Sequence, residues 1–66
     1  MTKGLRALKV YRFENDLTQQ KFCDKFNFNR STIACIEAEI NQPSVATAQK
    51  LGEIIGIAWS LFFEEE

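Results

Sequence analysis

Sixty-six residues make one small domain, and a 45% hydrophobic content with six Phe argues for a real core and against disorder except at the ends. Two Cys and no His exclude a zinc site of four nitrogen or sulfur ligands within one chain, and no nucleophile stands beside a credible base, so no enzyme, metal, cofactor or small-molecule ligand is expected. No run approaches the ~20 apolar residues of a membrane helix, and Lys3, Arg6 and Lys9 interrupt the first ten residues, so a soluble cytoplasmic protein with no membrane partner is expected.

The net charge is −1, but it is unevenly spread. Residues 1–36 hold seven cations against three carboxylates, a balance of +4, and residues 37–66 hold one cation against six carboxylates, a balance of −5. A polyanion would meet the basic half first. A lopsided solvated surface is the plainer reading of the same asymmetry.

The first helix is predicted over about Gly4 to Glu14, with Leu5, Leu8, Tyr11 and Arg12 near one side. Arg12 beside an apolar face requires a carboxylate partner, because an unpaired buried charge is costly. Asn15-Asp16 is a turn, and Leu17 tucks in after it. Thr18 is the N-cap of a second helix whose buried side is Phe22, Cys23 and Phe26. Its capping box is incomplete, because Lys21 stands where Glu or Gln would reach back. Cys23 is read as a small buried hydrophobe and Cys35 as outward-facing.

Asn27 then stands where a chain leaving a helix needs a left-handed residue, which Asn tolerates better than any residue but Gly. Phe28 is an apolar plug, and Asn29 is the N-cap of a third helix over about Arg30 to Ala38. Helices joined this tightly must cross steeply, which predicts a helix-turn-helix over about 18–38. The third helix should bury Ile33, Ile36 and Ile40, with Glu37 at the core edge within reach of Arg12. Its opposite face, Ser31, Ala34, Cys35 and Ala38, carries small side chains where a free surface helix would carry long charged ones. Arg30 and Thr32 flank that face.

Glu39 to Pro43 is a loop, and Ser44 caps a fourth helix over about Val45 to Ile55 with an inward stripe of Val45, Ala48, Leu51, Gly52 and Ile55. Gly52 admits another backbone, and Gly56 stops the helix. Ile57 packs back, and Trp59 to Phe63 form a short fifth helix, with Phe62 assigned to the core and Trp59 left open between core and surface. Glu64 to Glu66 reads as a solvated acidic tail. The expected fold is therefore all-α: a compact five-helix bundle in a single domain, 1–66.

From Leu8 to Phe63, over four-fifths of its length, the chain resembles the Cro and lambda-repressor-like helix-turn-helix family, called XRE-type. The matching residues are Arg12, LTQ at Leu17–Gln19, NRSTIACIE at Asn29–Glu37, NQPS at Asn41–Ser44 and Gly56-Ile57. The resemblance implies a lambda repressor-like DNA-binding domain whose third helix enters the major groove. It assigns base contacts to Arg30, Ser31, Ala34 and Cys35. Arg30 suits the two acceptors of guanine, and Ala34 and Cys35 suit a thymine methyl. It assigns phosphate contacts to Thr18, Gln19, Thr32, Asn41 and Gln42, and a structural ion pair to Arg12 and Glu37. The fifth helix is the family's usual dimer surface, nominating Trp59, Leu61 and Phe63 within a dimerisation segment of about 57–63.

The chain departs from the family at Asn27 for the turn Gly, at Glu39 for a frequent Gly, at Ile40 for a frequent basic residue, and at Ala58 for the usual Ser-type cap. Few cations near the site predict a modest non-specific affinity and a shallow salt dependence. The expected function is a small DNA-binding transcriptional regulator, a repressor of phage or mobile-element type. It would bind a palindromic double-stranded operator as a homodimer, with half-sites about one helical turn (~34 Å) apart, and be nucleoid-associated when bound. With no effector domain expected, control would fall to abundance or to a protein antagonist. The alternative is a protein-interaction module of the same fold, an antitoxin or antagonist with little DNA binding of its own.

Overall fold

The computed structural model describes residues 1–66. Four α-helices follow in order: α1 (Lys3–Glu14), α2 (Gln19–Phe26), α3 (Arg30–Glu37) and α4 (Val45–Ile55). A 3-10 turn, Trp59–Phe63, closes the chain. The expected fifth helix is thus one turn of 3-10 geometry. Ala58 offers its first residues no side-chain cap, and the tighter winding suits a five-residue segment.

Each α-helix begins at a polar cap. Thr2, Thr18, Asn29 and Ser44 accept from the backbone N–H of Leu5, Lys21, Ser31 and Thr47. Such a cap typically contributes about 1 kcal/mol. With Thr2 as its cap, α1 starts at Lys3, one residue before the predicted boundary.

The helix ends share one device. A left-handed residue follows each helix: Asp16 (φ 54°), Asn27 (φ 61°), Glu39 (φ 61°) and Gly56 (φ 77°). The next residue, always apolar, donates its N–H five residues back: Leu17 to Arg12, Phe28 to Cys23, Ile40 to Cys35 and Ile57 to Gly52. These are Schellman closures, which satisfy carbonyls that the helix leaves unpaired. Leu17, Phe28 and Ile57 also pack on the core. Ile40 does not; it is 71% exposed. The expected core role of Ile40 is therefore corrected. The helix ends at Glu37 and Glu39 reverses the chain, so the helical phase does not extend to residue 40.

The core is Leu5, Leu8, Phe22, Cys23, Ile33, Ile36, Ala48, Leu51 and Phe62. Phe22 is its centre, stacked on Phe28 at 5.7 Å and meeting Tyr11 edge-on at 6.3 Å. Truncating a buried Phe typically costs about 3–5 kcal/mol. Val45, assigned to the inward stripe of α4, is instead 53% exposed at the first helical position, ahead of the turns that pack on the core. Two glycines mark close approaches. A Cβ on Gly4 would lie 2.6 Å from Phe62 Cγ, and one on Gly52 would lie 2.8 Å from the Ile57 carbonyl oxygen. These contacts seat the 3-10 turn between α1 and α4.

The acidic tail is exposed but not free. Lys3 N–H donates to the Glu64 carbonyl at 2.9 Å, Thr2 and Glu65 form an antiparallel bridge, and Arg6 pairs with Glu66. The chain's two ends are thereby clasped together.

Candidate nucleic-acid interface

The joint between α2 and α3 rests on one charged cluster. Arg12 reaches from α1 to Glu37 at the end of α3, donating through Nε at 2.7 Å and through its second guanidinium nitrogen at 2.5 Å. Its remaining nitrogen donates to the Leu17 carbonyl at 3.0 Å, just before the α2 cap. Gln19, in the first turn of α2, donates to the same Glu37 carboxylate at 3.2 Å. The Arg12 and Glu37 side chains are only 18% and 4% exposed, and no buried side-chain nitrogen or oxygen lacks a partner. The cluster ties α1, the start of α2 and the end of α3 into one unit. An isolated charge in this position would be costly; paired and hydrogen-bonded, it fixes geometry.

That unit presents the outward side of α3. Ser31, Thr32 and Cys35 line a shallow open groove together with Asn41, Gln42 and Pro43 from the following loop and Ser44 and Thr47 from the start of α4. Five of the predicted contact residues therefore converge on one surface. Arg30 is exposed at the first position of α3, and Ala34 is half-buried one turn further on; neither lines the groove itself. The Thr18 hydroxyl accepts from Lys21 N–H at 3.1 Å and keeps its own proton to donate. Gln19 is turned inward onto Glu37, leaving one amide N–H for another acceptor.

Ser44 and Thr47 enter this surface without having been singled out for it. The Ser44 hydroxyl donates to Thr47 Oγ1 at 3.0 Å, and Thr47 N–H donates back to Ser44 Oγ at 3.2 Å. The signal available was their spacing: a cap residue and the third residue after it share the exposed rim of a helix start.

The spatial charge pattern is milder than the sequence pattern. Of the seven cations in residues 1–36, Lys3, Arg6 and Arg12 are engaged by Glu64, Glu66 and Glu37. Lys9, Lys21, Lys25 and Arg30 lie outside these ion pairs. Lys25 sits 5.5 Å from the Phe26 ring, and Lys50 caps Phe28 at 4.4 Å. The acidic tail thus folds back on the basic start of the chain.

Neither thiol belongs to a metal cluster. No group of three or more Cys, Asp or Glu is arranged to hold an ion. Burial pushes the Cys23 thiol up from its ordinary value, with nearby Asp24 adding to the effect, so it stays protonated. Cys35 is half-buried on the α3 groove. No helix is long and apolar enough to cross a membrane.

The nominated dimer residues lie on the closing 3-10 turn, and none of them lines the α3 groove. Trp59 and Phe63 are 39% and 37% exposed and pack edge to face at 6.2 Å. Leu61 is half-buried, and Phe62 alone of the turn is in the core.

Comparison with known proteins gives a consistent picture. A family model described as helix-turn-helix matches residues 8–62. The chain is 34% identical over 58 residues to an uncharacterized HTH-type transcriptional regulator, YqaF, of Bacillus subtilis (strain 168), covering 88% of this chain and 76% of that protein. It is 38% identical over all 66 residues to the immunity repressor protein of Bacillus phage phi105, of whose length it spans 45%. No solved structure matches.

Proposed function

The chain belongs to the XRE-type helix-turn-helix family, and on that premise we propose that it is a sequence-specific DNA-binding transcriptional regulator, acting as a repressor in the cytoplasm. The observation that carries this is the groove in which Ser31, Thr32 and Cys35 of α3 meet Asn41 and Gln42. Small side chains along α3 let a helix approach base edges closely. The polar loop beside it offers donors at the height of a phosphate strand. Arg30 supplies the one long bidentate donor, and Thr18, Gln19 and Thr32 add phosphate contacts. The buried Arg12–Glu37 pair holds the start of α2 and the end of α3 in fixed relation, which a surface that must match a groove requires.

One recognition helix reads only a few base pairs, so the proposed operator is palindromic and the bound species a homodimer. Trp59, Leu61 and Phe63 are the proposed contact, with Trp59 and Phe63 forming an exposed aromatic edge outside the α3 groove. Sedimentation with and without operator tests the pairing. A two-chain species on DNA is expected, and one chain per operator would contradict it.

A second reading is a protein-interaction module, an antitoxin or antagonist. What favours it is Phe13, 84% exposed on α1 beside a 48% exposed Val10, an apolar surface that DNA would not use. Selecting bound duplexes from a random pool and measuring their affinity for wild type and Arg30→Ala separates the two. Binding lost with Arg30 supports the groove reading. Failure to bind any duplex at low salt would favour the protein partner.

A further inference from the structure

Glu65, which the sequence places far from the third helix, is brought close to the loop that follows it. Glu65 is bridged to Thr2, and Glu39 and Glu65 each lie 3.2 Å from the Met1 amino nitrogen. Glu39, Glu65 and Thr2 line one small cavity with Asn41 and Gln42. Asn41 and Gln42 also line the α3 groove. The loop after α3 is therefore a wall with the proposed phosphate path on one side and carboxylates on the other. Glu64 and Glu66 in turn occupy Lys3 and Arg6, the cations of the first turn of α1.

We propose that Glu64–Glu66 form an autoinhibitory clasp: Glu64 and Glu66 cancel the charge of Lys3 and Arg6, and Glu65 holds a carboxylate beside the Asn41–Gln42 loop, weakening DNA binding until they are displaced. The proposal rests on the DNA-binding reading of the α3 groove. A carboxylate across a single loop can act on the groove, because charges are screened only over ~8 Å at physiological salt. Its strength is right for a reversible contact. The Arg6 and Glu66 side chains are 63% and 34% exposed, and the Lys3 and Glu64 side chains 55% and 50%. Exposed pairs of this kind are weak and exchange readily for a denser polyanion. The Glu66 carboxyl, held below its ordinary value by its hydrogen bond from Arg6, stays charged at neutral pH.

The test is the full chain carrying E64Q, E65Q and E66Q, titrated onto a duplex across a salt series. Gln keeps shape and removes charge. We expect binding on the order of threefold to tenfold tighter at low salt. The salt slope should steepen by about 0.9 for each freed cation that takes a phosphate. Adding Lys3→Gln and Arg6→Gln to that variant should remove most of the gain. If the triple variant does not fold, Glu66→Gln alone, which can still accept from Arg6, should give about a twofold gain at low salt. Equal affinity and slope for wild type and a folded variant would overturn the clasp and leave the DNA reading standing. Binding of neither protein to any duplex at low salt would overturn both.

Discussion

Two Arg–Glu contacts hold this molecule together in different senses. Arg12 and Glu37 meet inside the joint, 18% and 4% exposed, with Gln19 and the Leu17 carbonyl completing their hydrogen bonds. Arg6 and Glu66 meet on the surface where the chain ends cross, 63% and 34% exposed. The chemistry is the same and the consequence is not. A buried pair cannot lose one member without stranding the other in a medium that solvates it poorly. An exposed pair returns both members to water and salt at little cost. The buried contact is therefore a fixture of the fold, and the exposed one is free to serve as a contact that opens.

Removing Glu37 should be the largest single effect. Glu37→Ala is expected to destabilise the chain by about 3 kcal/mol, read as a fall in the urea midpoint with an unchanged slope. The low end of the usual range applies because Arg12 keeps its bond to Leu17 and some access to water. Replacing both partners together, Arg12→Met with Glu37→Leu, should cost far less. If the double replacement is as damaging as the single one, stranded charge is not the cause.

Glu39 sharpens the comparison from the other side. It pairs with the Met1 amino group and also sits at φ 61°, where a side chain is strained. Glu39→Gly removes an exposed ion pair and that strain at once. If exposed pairs are weak, the variant should be more stable by about 0.5–1 kcal/mol. A loss of stability in thermal melts would show that the surface clasp is stronger than its exposure implies.

The smallest effect is the pH response of the clasp. Hydrogen bonds to Glu39 and then Glu65 raise the Met1 amino group above its ordinary value of 8.0, and the hydrogen bond from Arg6 lowers Glu66 below its ordinary 4.5. The raised amine contributes stability below pH 8 that is lost as pH rises through its folded value. The lowered carboxyl contributes above pH 4.5 and is lost as pH falls through its folded value. Amide exchange at Lys3 and Glu66, whose N–H groups bridge the two ends, should be slowest between those limits after correction for intrinsic rates. A corrected rate flat from pH 4 to 9 would contradict that.

The helix pattern was legible because its signals are local. Thr18, Asn29 and Ser44 announce helix starts by their own chemistry, and Asn27 announces the left-handed turn. Glu39 adopts the same backbone conformation without advertising it, since a Glu side chain has no preference for the left-handed region. That is why the helical period of α3, read on through residue 40, places Ile40 in the core, whereas the chain exposes it. The 3-10 turn escaped because five residues carry too few positions to separate one helical winding from another. The grouping of Ser31, Thr32 and Cys35 with Asn41 and Gln42 is implied by the family resemblance and by no local signal. That of Thr47 is not, because its place in the groove depends on how α4 is docked. The clasp had no local signal at all: Arg6 and Glu66 stand 60 residues apart.

The role assigned to α3 is most directly tested by the affinity of wild type and Arg30→Ala for a selected duplex and for an unrelated one at the same salt. A bidentate contact to guanine predicts a loss of about 1–3 kcal/mol per half-site on the selected duplex, with a much smaller change on the unrelated one. An equal loss on both would reduce Arg30 to a phosphate contact, and no loss on either would contradict the placement of α3 in the groove.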